Sequence, residues 1–193
     1  MNLEGSMSSL RYIIRETTMY LKPVIYDGHI YSEIKEYNKT PFIINQRPLT
    51  LIEQSCLFYN TTYAARKEKT RIVADICQKP PIVLKPETGT YFFPTHGDRI
   101  KESHWFNLGM IQYYRRGKYE DTEIYFDDGT VLSLPASYHI INTQFLHAVK
   151  LEYCLRTKAI KNNKVTQQEV DFQQAYTNIY EVLAMYALLE RRV

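Results

Sequence analysis

The hydrophobic positions follow two different periods along the chain. From about Thr17 to Leu134, short runs rich in Ile, Tyr, Phe, Val and Thr alternate with turn signals made by Gly, Pro and Asn. After Pro135, apolar residues recur at spacings of three and four residues instead. Short bounded runs are typical of strands, and the longer spacing is typical of amphipathic helices. The pattern therefore predicts an α+β protein with a β-rich body of short antiparallel strands and hairpins, followed by two C-terminal helices.

Two Asp-Gly pairs predict where the hairpins of this body turn. Asp27-Gly28 lies between the runs 23–26 and 30–31, and Asp128-Gly129 lies between the runs 122–126 and 130–134. Such a pair between two strands favours a tight hairpin. Further strands are predicted from the apolar runs 42–44, 55–58, 72–74, 82–84, 91–93 and 105–114.

The two C-terminal helices are predicted from their caps and apolar stripes. Ser137 is a candidate N-cap for the first, and the polar segment 158–164 is expected to end it. Thr166 followed by Glu169 has the pattern of a capping box and begins the second, whose stripe extends to Leu188. That stripe either docks on the β-rich body or mediates oligomerisation, because its tyrosines suit an interface. We expect residues 1–134 to form the body and 135–193 the helical part, together making one compact unit.

Composition narrows the class of protein. The 193 residues carry a formal net charge of only +3, which excludes a polybasic coat for nucleic acid and an acidic disordered chain. The three cysteines form no CxxC pair, and charged residues interrupt every apolar run near the N-terminus. We therefore expect a cytoplasmic protein with reduced thiols and no membrane partner.

The small net charge hides a local concentration of cations. Residues 54–86 contain six Lys or Arg against two acids, a net +4, so the remaining residues together carry −1. Cations beside neutral hydrogen-bond donors suit a nucleic-acid backbone, and arginine also suits a narrow A·T minor groove. The candidate DNA-binding residues are Asn60, Thr62, Tyr63, Arg66, Lys67, Lys69, Arg71 and Lys79. The alternative for this segment is a solvated charged turn without a ligand.

No metal site, catalytic residue or cofactor is predicted. Cys56, Cys77, His96 and His104 follow one another in order, but they lack the close spacing of zinc ligands. The chain also lacks a nucleophile elbow, a phosphate-binding glycine loop and a dinucleotide fingerprint. These observations disfavour an enzyme.

Several uncommon strings appear together in one order. The longest is Leu51-Ile52-x-x-Ser55-Cys56-x-Phe58-Tyr59-x-x-Thr62-Tyr63-Ala64-x-Arg66-Lys67-x-x-Thr70. It is followed by Lys79-Pro80-Pro81-Ile82, Phe92-Phe93-Pro94-Thr95, the lone Trp105, Asp121-Thr122-Glu123-Ile124, Phe126-x-x-Gly129 and Leu134-Pro135-x-Ser137-Tyr138. From about residue 47 to residue 144, the sequence resembles the ComK family of competence transcription factors.

The resemblance implies a sequence-specific activator of DNA-uptake genes. It implies binding to A·T-rich double-stranded DNA boxes through the minor groove, as a multimer. We expect a dimer or tetramer in the cytoplasm at the nucleoid, with RNA polymerase as a further partner. Some members also carry a Phe-Met-Leu-Tyr-Pro-like stretch that a Clp-protease adaptor reads, and the corresponding stretch here, 169–173, departs from it. The alternative function is a protein-interaction or regulatory module without DNA contact.

Overall fold

A computed structural model of the protein describes residues 12–119 and 121–166. Within them the chain forms nine strands and three α-helices. The strands are β1 (Thr18–Tyr26), β2 (His29–Glu36), β3 (Phe42–Ile44), β4 (Ile82–Lys85), β5 (Thr90–Pro94), β6 (Trp105–Asn107), β7 (Ile111–Arg116), β8 (Thr122–Phe126) and β9 (Val131–Leu134). The helices are α1 (Pro48–Phe58), α2 (Tyr63–Ala74) and α3 (Tyr138–Thr166).

A six-stranded antiparallel sheet forms the centre of the fold, with the strand order β3-β2-β1-β6-β5-β4. Neighbouring residues in its central strands belong to different cores. Phe92 and Trp105 pack with α1, whereas Phe93 and Phe106 pack with α3 and a second sheet. Because side chains alternate across a strand, this separation requires apolar residues at consecutive positions. The sheet is therefore a buried middle layer.

The two faces of this layer have different covers. Helix α1 and Tyr63 of α2 cover one face, where Leu51, Ile52 and Cys56 are fully buried. The three-stranded sheet β7-β8-β9 and helix α3 cover the other, with Phe126 and Phe145 in the core. Helix α2 is thus held along one edge of the molecule with much of its surface exposed.

Both predicted hairpins are present. In the first, Asp27 and Gly28 adopt positive φ angles of 49° and 71°, which is the conformation of a type I′ turn. In the second, Gly129 adopts a φ of 81°, and the amide of Phe126 donates to the carbonyl of Thr130 at 2.9 Å. Short-range turn chemistry is sufficient to place both turns.

The predicted fold class was wrong in its arrangement of helices. The α+β composition and the β-rich body are present, but two of the helices lie inside that body. Helix α1 contains the predicted strand 55–58, and the C-terminal half of α2 contains the predicted strand 72–74. The 105–114 run is two strands, β6 and β7, separated by a 3₁₀ turn at Leu108–Met110.

One C-terminal helix, not two, is found in the described residues. As predicted, α3 begins after Ser137, whose hydroxyl lies 3.4 Å from the amide nitrogen of Ile140. It then continues through Asn162 and Asn163, where the sequence was expected to end it. The second predicted helix and the 169–173 stretch lie outside the described residues. Within the described ranges, no helix is long and apolar enough to cross a membrane.

Candidate nucleic-acid interface

The predicted DNA-binding residues begin in a tight connection between α1 and α2. Only Tyr59–Thr62 separates the two helices. Thr62 is the N-cap of α2, and its hydroxyl oxygen accepts a hydrogen bond from the amide of Ala65 at 3.1 Å. The hydroxyl hydrogen of Thr62 remains able to donate to a ligand. The segment therefore leads directly into a helix.

Asn60 ends α1. It has a φ of 55°, its amide donates to Leu57 O at 3.1 Å, and the amide of Thr61 donates to Cys56 O at 3.0 Å. This pair of hydrogen bonds is the Schellman arrangement, in which the residue at the left-handed position is usually Gly or Asn. Asn60 therefore has a conformational role that is separate from the predicted role in binding DNA.

We expect two substitutions at Asn60 to separate these roles. Asn60→Ala should lower the free energy of unfolding by about 1 kcal/mol, because Ala lacks the polar side chain that makes the left-handed conformation tolerable for Asn. Asn60→Gly should leave it unchanged or slightly raised, because Gly has no Cβ to disfavour positive φ. Urea unfolding followed by the emission of the lone Trp105 measures both. Equal stability of the two variants would contradict the capping role. Both variants lack the amide side chain, so a loss of duplex affinity shared by Asn60→Ala and the stable Asn60→Gly would identify that side chain as a DNA contact.

Helix α2 packs against the rest of the protein through a narrow stripe of buried side chains. Tyr63, Thr70 and Ala74 are buried, and the hydroxyl of Thr70 donates to the carbonyl of Pro81 at 2.7 Å. The opposite face is solvent-exposed and combines charged side chains with small or apolar ones: Ala64, Ala65, Glu68, Lys69, Arg71 and Ile72. The alanines of the first turn would allow another molecule to approach the helix backbone closely.

Three of the predicted site residues are held by neighbours on the protein. Tyr63 is only 7% exposed, and its hydroxyl donates to Asp98 Oδ1 at 2.7 Å. Burial raises the pKa of Tyr63, so it stays protonated as this donor. Lys67 Nζ lies 2.6 Å from Asp98 Oδ2 and 4.6 Å from the centre of the Tyr63 ring. Arg66 Nη2 donates to the carbonyl of Leu84 at 3.0 Å.

The remaining cations are more available to a ligand. Arg71 pairs with Glu68 at 2.5 Å, which raises the pKa of Arg71 and lowers that of Glu68. Both side chains are more than half exposed, so the pair is weak and a phosphate can replace Glu68. Lys69 is exposed and has no ion pair among the described residues. Lys79 is only partly exposed, at a φ of 46°, and it lies beyond the end of α2, where its carbonyl faces Gln144 of α3.

Sequence reasoning missed three cations at the other end of the same surface. Arg47 precedes α1, and Arg99 and Lys101 lie in the loop between β5 and β6; all three are exposed. Asp98 of that loop contacts Tyr63 and Lys67 of α2, which brings the loop against the helix. No motif links these segments, because they are about 50 residues apart.

The candidate metal and thiol residues are dispersed. Cys56 is fully buried in α1, where burial raises the pKa of its thiol to about 11, and Cys77 is exposed after α2. His104 stacks on Phe106 with ring centres 6.2 Å apart, and burial lowers its pKa to about 4. Over the described ranges, no three His, Cys, Asp or Glu side chains form a group that could hold a metal ion.

Comparisons with known proteins identify relatives of the sequence. The sequence model of the family described as "ComK protein" matches residues 9–160. A protein of Bacillus subtilis (strain 168), named "Competence transcription factor", is 32% identical over 133 residues, which cover 69% of each chain. No solved structure matches the chain.

Proposed function

This chain belongs to the ComK family, and we propose that it is a transcription factor that activates competence genes by binding A·T-rich promoter DNA. The observation that carries the proposal is the exposed cationic face of α2, in a chain related to a competence transcription factor. Phosphates of the duplex would pair with Lys69, Arg71 and the nearby Lys67. Arg66 and Lys79 would add charge at the margins of the contact.

We propose that the protein recognises A·T-rich boxes through their minor groove. A narrow A·T tract concentrates negative potential there, which attracts long cationic side chains such as Arg71. An exposed second helix is also what helix–turn–helix proteins place in the major groove, so the two grooves must be distinguished by experiment. We further propose that the protein binds as a dimer or tetramer in the cytoplasm, that it contacts RNA polymerase, and that a Clp-protease adaptor is a candidate partner.

We expect the protein to bind a labelled duplex that carries A·T boxes with an affinity that falls as salt rises. With about five phosphates contacted, the logarithm of the affinity should fall with a slope near −4.5 against the logarithm of the salt concentration. Fluorescence anisotropy measures both quantities. A second duplex, with I·C pairs in place of A·T, keeps the minor-groove pattern and changes the major groove. Equal binding to it supports minor-groove recognition, and loss of binding contradicts it.

The alternative is a protein-interaction module that makes no DNA contact. What favours it is the outer face of the small sheet, where Tyr113 and Tyr125 stack with ring centres 4.3 Å apart, below the guanidinium of Arg115. Val131 is 50% exposed on the same face. Capture of a protein partner that does not depend on salt, with no retention on any duplex, would favour this alternative over the first proposal.

A further inference from the structure

A solvent-accessible cleft lies where the start of α1 meets the β5–β6 loop. Its lining includes Arg47 and Leu49 from the start of α1, Ile100 and Lys101 from the loop, and Trp105 from β6. Arg47 and Lys101 are exposed, so they bring two positive charges to the mouth of the cleft. The basic segment 54–86 supplies neither of them.

The N-terminus of α1 adds a third positive feature. The N-cap residue is Arg47, which makes no capping hydrogen bond through its side chain within the described part of the chain. Pro48 occupies the first helical position, and no acidic residue lies in the first turn. Pro48 has no N–H, and the amide of Leu51 donates to the carbonyl of Arg47 at 3.2 Å. The amides of Leu49 and Thr50 therefore remain without an intrahelical or a capping acceptor, and they lie at the positive end of the helix dipole. Such a terminus is suited to bind an anion.

A buried donor in the same place lacks a partner. Trp105 is 1% exposed, and its indole Nε1–H makes no hydrogen bond within residues 12–119 and 121–166. A buried donor without an acceptor is costly, so its presence in the lining of a cationic cleft points to an acceptor supplied from outside the chain.

The one carboxylate in the lining does not leave the cleft negative. Asp98 accepts hydrogen bonds from the Tyr63 hydroxyl at 2.7 Å and from Lys67 Nζ at 2.6 Å. Its charge is thus balanced by a cation of α2. The same contacts join the cleft to the N-terminal half of α2.

We propose that this cleft binds a phosphate group of the duplex DNA backbone. The phosphate oxygens accept from Arg47, Lys101 and the first amides of α1, and the indole of Trp105 donates from below. This inference rests on the proposed function, since it adds a second contact with the same duplex beside the exposed face of α2. It assigns a DNA-binding role to residues outside the basic segment.

Trp105 makes the cleft observable, because it is the only tryptophan in the chain. We expect its emission to change when the wild-type protein is saturated with an A·T-rich duplex, and to change little in Arg47→Gln/Lys101→Gln at saturation. The same double variant should bind the duplex roughly tenfold more weakly. Its salt slope should be smaller by about 1, as expected for one phosphate contact. The matched control is Arg116→Gln/Lys118→Gln, which removes the same charges from the end of β7 and the following turn and should match the wild type.

Each outcome has one interpretation. If labelled duplex binds wild type and Arg47→Gln/Lys101→Gln with the same affinity and salt slope, the cleft inference is wrong and the proposed function remains. If no duplex binds, the proposed function fails, and the cleft inference fails with it. An emission change produced by inorganic phosphate but not by duplex would show a site for a free anion, and would also overturn the inference.

Discussion

Replacing Lys69 and Arg71 together with glutamate should weaken duplex binding by about a hundredfold or more. The change removes two charge-assisted contacts and places two negative charges against the phosphates. Glutamate is a good helix former, so α2 should persist, although the new carboxylate at position 71 adds a small repulsion with Glu68. The two cations lie on the exposed face of α2, and neither holds another element of the protein in place. Anisotropy at fixed salt measures the loss.

Glu68→Gln is the matched control for this double variant. It releases Arg71 from its only ion pair among the described residues and removes one negative charge from the same face. Its duplex affinity should therefore rise by a few-fold. The variant lacks the repulsion between an exposed carboxylate and a nearby phosphate, which costs a fraction of a kcal/mol or more of binding free energy. If the wild type and both variants unfold at the same temperature, the opposite changes in duplex affinity are effects on binding and not on folding. Wild-type affinity in Lys69→Glu/Arg71→Glu would exclude the exposed face of α2 as the interface.

The largest loss of stability should come from Asp128→Asn, which we expect to lower the free energy of unfolding by about 3 kcal/mol. Asp128 Oδ2 lies 2.9 Å from Lys35 Nζ, and the two side chains are only 2% and 10% exposed. Asp128 also accepts hydrogen bonds from the backbone amides of Asn38 and Thr130. This buried pair joins the turn of the small sheet to strand β2 of the large one. Its disruption leaves Lys35 buried with an uncompensated charge.

The same pair predicts how stability depends on pH. Burial opposes ionisation of Asp128, but hydrogen bonds with Thr130 and Lys35 lower its pKa from 3.8 to about 2. The unfolded chain therefore binds this proton at a higher pH than the folded chain. The stabilisation, about 2 kcal/mol, is complete above about pH 4 and is lost as the pH falls toward 2.

Urea unfolding between pH 7 and pH 2 tests both statements. Between pH 4 and pH 2, the free energy of unfolding should fall less in Asp128→Asn than in the wild type. The difference should be the stabilisation of about 2 kcal/mol that ionised Asp128 contributes. Asp127→Asn is the control, because Asp127 is the exposed neighbour on the same turn and its loss should change stability by less than about 0.5 kcal/mol. Equal losses in the two variants would show that the contact with Lys35 does not matter.

Local turn chemistry could be predicted from the sequence, whereas the helices inside the β-rich body could not. Asp27-Gly28 and Asp128-Gly129 specify their turns through residues that tolerate positive φ. The runs 55–58 and 72–74 are too short to show a period, and their apolar residues fit a strand or a helix equally well. Two signals do mark the helices: Pro48 at the first position of α1, and Thr62 as the N-cap of α2.

The net charge of the candidate site could also be predicted from the sequence, but the partners that its cations contact on the protein could not. The net +4 of residues 54–86 is a property of the sequence. That Lys67 contacts Asp98, and Arg66 the carbonyl of Leu84, depends on how α2 packs against a loop and a strand elsewhere in the chain. Arg47 and Lys101 could not be assigned to the same surface, because only the tertiary structure brings them into one cleft.

Site-specific cross-linking to DNA tests the central claim most directly, namely that the exposed face of α2 contacts the duplex. A photoactivatable group would be attached to Ala65→Cys or Ile72→Cys, in a background in which the exposed Cys77 and the half-buried Cys154 are replaced by serine. The control position is Val131→Cys, which is also exposed, on the outer face of the small sheet. Cross-links from positions 65 and 72, removed by excess unlabelled A·T-rich duplex and absent from position 131, are the predicted result. Cross-links from position 131 alone, or from all three positions equally, would contradict the account.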